Sequence, residues 1–346
     1  MKPGTDKFGA QSITAVNSTL GVAATEDEAG TAVVVNVEKG ITADITATAA
    51  NKLENVAITN EGKLTFKGNT VELAAVDLSK NNGVVTFKGA STVTGSIVNG
   101  GKTVFDGDFE LANTSDASFQ TAKAVMAATG EADTLFTGNV SVQGADADKL
   151  GTFTADSLTI NQASKTFAVK DHGVVNVGAV EVKDGTFHNE AGVANIDSMK
   201  VGSAGTVTLA GTTKVKGQLA VEEGITSEST GTTTVGELIV GKTNATGNST
   251  FTISDGNFTA DSVKVLETGH TATLAISGTA ETSLVNVDVA KGGVLTIAAT
   301  TENTINSLTA QDGSNGDCHK FCVHGIIGAR HTGTPHEHDY QETNLS

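Results

Sequence analysis

LTFKGNTVELAAVDLSKNNGVVTFKG, running from Leu64 to Gly89, contains the same short phrase twice. Thr65-Phe66-Lys67-Gly68 returns as Thr86-Phe87-Lys88-Gly89, 21 residues later. Between the two copies stands Val76-Asp77-Leu78, a polar residue between two aliphatic ones. Alternation with a period of two marks a strand with one face buried. Short strands that restart after a glycine predict a coil built from a small repeated unit.

The same triplet recurs along most of the chain. It stands at Val35-Asn36-Val37, Val56-Ala57-Ile58, Val76-Asp77-Leu78 and Ser96-Ile97-Val98. It continues at Val140-Ser141-Val142, Leu158-Thr159-Ile160, Val180-Glu181-Val182, Met199-Lys200-Val201 and Leu219-Ala220-Val221. The last four are Leu238-Ile239-Val240, Val263-Lys264-Val265, Val287-Asp288-Val289 and Leu308-Thr309-Ala310. Successive first residues lie 18 to 25 apart, except for one step of 44 between Ser96 and Val140 that spans two units. A second strand follows eight to eleven positions after many of these anchors, as in Leu64-Thr65-Phe66, Val207-Thr208-Leu209 and Leu295-Thr296-Ile297. Longer echoes agree: Phe153-Thr154-Ala155-Asp156-Ser157 returns as Phe258-Thr259-Ala260-Asp261-Ser262, five units on.

A unit of this size cannot bury its own apolar face, so it must stack on its neighbours. The expected fold is all-β: a right-handed parallel β-helix, with about fourteen rungs of ~20 residues. At a strand spacing of ~4.8 Å this is a rod roughly 70 Å long. Aliphatic ladders are expected inside, and Thr and Asn ladders outside. Composition agrees, with 40 glycines, 2 prolines, no tryptophan and 4 % aromatics, a supply suited to a thin core of stacked aliphatics. A leucine-rich repeat has an overlapping period. Val177-Gly178-Ala179-Val180-Glu181-Val182 fits part of its pattern, but Gly185 stands where its ladder asparagine belongs.

Three segments depart from the pattern. Residues 1–30 form an irregular start or cap, and the array occupies 31–312. Residues 107–137 form an irregular rung. There Phe119, Ala122, Val125 and Met126 have helix-compatible spacing, which predicts a short helical bulge or a protruding loop. Residues 313–346 change character and are expected to be a disordered tail. They hold both cysteines, five of the eight histidines and the only arginine, Arg330.

Chemistry is sparse. The net charge of −17 argues against nucleic acid and anionic membrane as partners. No apolar run has the ~20 residues of a spanning helix, and Met1-Lys2-Pro3-Gly4 lacks the apolar core of an export signal. If exported, the chain is expected to be a piece of a longer protein. In the tail, Cys318, Cys322, His319, His324, His331, His336 and His338 supply soft ligands, but at spacings unlike those of compact zinc modules. Lys183, Lys200 and Lys264 sit in ordinary alternating positions. Asp156 and Asp261 repeat one place in the unit, Glu222-Glu223 reads as a solvated turn, and His172, His188 and His270 stand beside turn residues. The Gly-Gly pairs at 100–101 and 292–293 are not followed by the Lys-Ser/Thr of a phosphate loop. No catalytic, cofactor-binding or metal-binding residue is therefore assigned.

The runs Gly62–Phe66, Gly205–Leu209 and Gly293–Ile297, of the form G-x-[LV]-T-[FIL], resemble the passenger regions of bacterial autotransporter adhesins. The resemblance covers about residues 30–312 and is one of style and period. It implies a passenger displayed on a Gram-negative outer membrane by a separate C-terminal barrel. It also implies adhesion or aggregation through surface glycans, proteins or self-association. The expected function is thus a non-catalytic, structural or adhesive cell-surface rod. A carbohydrate-active β-helix enzyme and a metal-binding tail are the alternatives.

Overall fold

The computed structural model describes residues 33–47, 50–111, 117–222, 227–266 and 270–311, together with strands at 12–15, 18–21, 315–318 and 322–323. All its elements are β-strands, and every pairing between them is parallel. They stack as a β-solenoid of about twelve turns, close to the number expected from the repeat.

Each turn has three strands where the sequence reading found two. The pairings define three faces, called A, B and C in chain order. In one early turn, Val76 lies on face A, Phe87 on face B and Val93 on face C. The strand missed by inspection is the third. Val71-Glu72-Leu73 pairs in register with Ser91-Thr92-Val93, and its outer residue is as polar as that of any anchor triplet. In the middle of the rod, strands Gly151–Val169, Gly173–Asn189 and Val193–Leu209 each bend around all three faces without a break.

The anchor triplets do not form a single column. The first four belong to face A, Val140-Ser141-Val142 to face C, and the last eight to face B. All three faces share one rule, alternate residues inward, so the period survives a change of face unnoticed. The fold reading stands because eleven of the thirteen triplets, Val140-Ser141-Val142 among them, bury both of their flanking residues, leaving two that depart from the rule. Ser96-Ile97-Val98 is out of phase by one, with Ile97 inward and Val98 exposed at 45 %. In the last turn Leu308 is only partly buried.

The core is one continuous column of buried side chains from Val35 to Ile305. Phenylalanine contributes more than the composition led one to expect, since all eleven described phenylalanines are buried. On face B, Phe66, Phe87, Phe105 and Phe136 stack with ring centroids 5.2, 5.3 and 5.4 Å apart. In-register parallel pairing places like side chains at nearly the strand spacing, where flat rings stack in an offset manner.

Corners are tight. A Cβ on Gly83 would stand 2.2 Å from the carbonyl oxygen of Gly62, its counterpart one turn away. Gly89 turns the corner between faces B and C at φ +88, the left-handed region that side chains disfavour.

Among its described residues the irregular rung contains no helix. Ala117–Met126 is a strand, and the spacing of Phe119 and Val125 reflects a bend from face A to face B. The chain then turns back through 127–133 and lays down Thr134–Phe136, which lies between Lys102–Asp106 and the end of Ala117–Met126. Face B thereby gains one strand that faces A and C lack, an edge dislocation in the stack. The extra width is filled by Phe105, Phe109, Phe119 and Phe136, each in ring contact with the other three. Outside, the returning segment covers Val104, Val125 and Leu135 with Ala127 and Ala132, forming a second small apolar cluster.

Asparagine and threonine are not confined to the exterior. Asn60 Nδ2 donates to Asn81 Oδ1 (3.1 Å), and Asn81 Nδ2 donates to the Lys102 carbonyl (3.0 Å), both inside the coil. Thr213, Ser227, Ser229 and Thr233 are also buried, in columns filled mostly by aliphatic and aromatic residues. Residues 315–318 and 322–323 continue faces C and A past the boundary expected at 313.

Candidate binding groove

On the outside of face A, near its corner with face B, four consecutive strands place Thr154, Asn176, Asn195 and Lys214 in one in-register column. Two residues further along each strand stand Asp156, Gly178, Asp197 and Lys216. Together they line an open groove of ≈ 540 Å³. Its walls follow from strand alternation, since every inward residue between these two columns is apolar: Ala155, Val177, Ile196 and Val215. Gly178 has no side chain, so the ridge formed by Asp156 and Asp197 is notched between them.

The groove is polar and solvated. Asn195 Nδ2 donates to Asn176 Oδ1 at 3.0 Å, which orients the two amides across neighbouring strands. Asp156, Asp197, Lys214 and Lys216 are all exposed. Most lysines on strand exteriors are neutralised by a carboxylate. Lys67 Nζ lies 2.7 Å from Asp44, Lys200 Nζ 3.0 Å from Glu222 and Lys264 Nζ 2.6 Å from Glu237. Lys214 and Lys216 make no such pair among the described residues, nor do the two groove aspartates.

The residues weighed for catalysis are dispersed. Asp156 and Asp261 share one corner but stand five strands apart, about 24 Å at the usual spacing. Glycosidase carboxylates stand ~5–9.5 Å apart and oppose each other across the substrate. Lys183 pairs with Glu181 at 3.1 Å. His172 faces Asp171 at 3.4 Å at a turn, and His188 faces Glu190 at 3.6 Å on face C. Glu222 serves as the partner of Lys200, while Glu223 and the tail histidines lie outside the described residues. Among the described residues, no group of three His, Cys, Asp or Glu side chains is placed to hold a metal ion.

Several exposed or partly exposed charges act as structural fasteners. Glu237 is held below the usual carboxylate range by the hydrogen bond from Lys264, helped by Gln218. Asp77 is lowered by the hydroxyl and the backbone N–H of Ser79, the latter donating at 2.8 Å. Lys200 is raised by its hydrogen bond to Glu222.

No family model, curated protein or solved structure matches the chain. The groove must therefore be read from its own chemistry. It offers amide, hydroxyl, carboxylate and ammonium groups at strand spacing along a shallow channel. That arrangement suits an extended, hydroxyl-rich ligand better than a small apolar one. Sequence inspection missed it because Thr154, Asn176, Asn195 and Lys214 are about twenty residues apart in the chain, and only the register brings them together.

Proposed function

We propose that this protein is a non-catalytic adhesive or structural rod of the cell surface, of the autotransporter-passenger kind. The observation that carries the reading is the exterior. Over about twelve turns it is a lattice of hydroxyl, amide and ion-paired side chains, and on face A it includes an open polar groove. Such a lattice offers many weak contacts to a glycan coat, a protein or a second rod, and multivalent display adds their effects. The test is to display the chain on a non-aggregating bacterium through a heterologous outer-membrane barrel. Settling of the cells, or attachment to epithelial monolayers, is expected at levels above those of an unrelated solenoid of equal length. Absence of both would overturn the reading.

One observation favours a carbohydrate-active enzyme as the second reading. Asp156 and Asp197 stand two strands apart, about 9.6 Å, near the upper end of the separation used by inverting glycosidases. Both project from the same ridge, so they do not flank a bond between them. Release of reducing ends from a polysaccharide panel, lost in Asp156→Asn, would favour this reading over the first.

A further inference from the structure

The groove on face A has a polarity along the rod. One end presents Asp156 and Thr154, the centre presents the amides of Asn176 and Asn195 over the notch at Gly178, and the far end presents Lys214 and Lys216. Four strands span about 14 Å, a length comparable to that of a trisaccharide. Sugar rings placed end to end along the rod would meet a new polar side chain at nearly every unit. Amides and carboxylates suit sugar hydroxyls, because an amide both donates and accepts and a carboxylate accepts through two oxygens. Two ammonium groups without a carboxylate partner among the described residues, two residues apart on one strand, suit a single anionic group.

We propose that this groove binds a short linear saccharide ending in one carboxylated sugar. The carboxylate lies on the Lys214 and Lys216 side, and the neutral sugars lie along Asn195, Asn176 and Asp156. The proposal deepens the adhesive reading and rests on it, since it supplies that reading with a ligand class and an address. A fully anionic polysaccharide is disfavoured by Asp156, by Asp197 and by the overall charge of −17. The lysine pair is what separates an acid-tipped ligand from its neutral counterpart.

The experiment titrates the whole chain with sialyllactose and with lactose, at low and at high salt. Sialyllactose is expected to bind about fivefold more tightly than lactose, the scale of a few exposed charge contacts. The preference should shrink as salt rises. The double variant K214A/K216A should lose the preference but keep binding to lactose, whereas N176A/N195A should weaken both sugars alike. All four residues face outward, so an unchanged circular dichroism spectrum and urea midpoint would show that the coil is intact. Equal binding of the two sugars by the parent, no binding at millimolar sugar, or full retention of the preference in K214A/K216A would overturn the proposal. If displayed cells adhere equally well with and without the two lysines, the groove assignment fails while the adhesive reading stands.

Discussion

Single side chains inside the coil fall into two kinds, those satisfied by the neighbouring turn and those left alone. Asn81 belongs to the first. It accepts from Asn60 Nδ2 and from the Gly83 N–H, and donates to the Lys102 carbonyl, so it connects three successive turns. Asn81→Ala leaves several buried polar groups without partners and should cost about 3 kcal/mol, read as a drop in urea midpoint at constant slope. Ser227 belongs to the second. Its hydroxyl is buried, has no hydrogen-bond partner among the described residues, and stands in register with Phe251. Ser227→Val should therefore raise stability by about 1 kcal/mol, since a methyl replaces a desolvated hydroxyl. A lower midpoint would show that the hydroxyl is satisfied in solution. From the sequence alone, Asn81-Asn82-Gly83 reads as an ordinary solvated turn. Whether its first asparagine points inward depends on an acceptor 21 residues away.

Strands behave as interchangeable parts, and the dislocation on face B shows how far this goes. Ala124-Val125-Met126 and Thr134-Leu135-Phe136 have the same small–apolar–large pattern and lie side by side. Deleting 127–136 joins Met126 to Thr137 and lets the first strand take the place of the second against Lys102–Asp106. The expected product is soluble and keeps its strand signature in circular dichroism. It should be about 3 kcal/mol less stable, since Phe136 leaves the four-ring cluster. An aggregated or unfolded product would mean that the extra strand is indispensable. Charged fasteners at the corners predict a pH effect. Asp77 has a lowered folded pKa, so its contribution is complete above the ordinary carboxylate range. It declines as pH falls from that range toward the depressed folded value, and is gone below it. Asp77→Asn keeps an acceptor for the Ser79 N–H but cannot titrate. Its urea midpoint should fall less steeply with acid than the parent's. Parallel curves for the two would contradict the assignment.

Across the rod, stability is a sum of turns and of the interfaces between them. The turns are unequal. Around residues 212–235 the interior columns hold Thr213, Ser227, Ser229 and Thr233 where most other turns hold aliphatic or aromatic residues. This is the least apolar part of the core, and its amides should exchange with solvent sooner than those of the phenylalanine-rich turns between Phe66 and Phe187. Hydrogen exchange resolved along the chain would reveal this, and uniform protection from end to end would refute it.

The solenoid, its parallel pairing and its unit length of about twenty residues were legible in the linear pattern. Strand alternation and repeat spacing are local properties, and Thr65-Phe66-Lys67-Gly68 with its echo is enough to show them. The number of faces, the dislocation at 134–136, the inward asparagines and the groove were not legible. Each depends on which residue of one turn meets which residue of the next. A triplet such as Val140-Ser141-Val142 is identical in pattern whichever face it occupies. Its assignment to face C follows only from its pairing with Phe109–Leu111 and with Phe167-Ala168-Val169. Alternation sets which side chains turn inward, whereas stacking sets the company they keep. The second is a property of contacts between turns and is not written in any one of them.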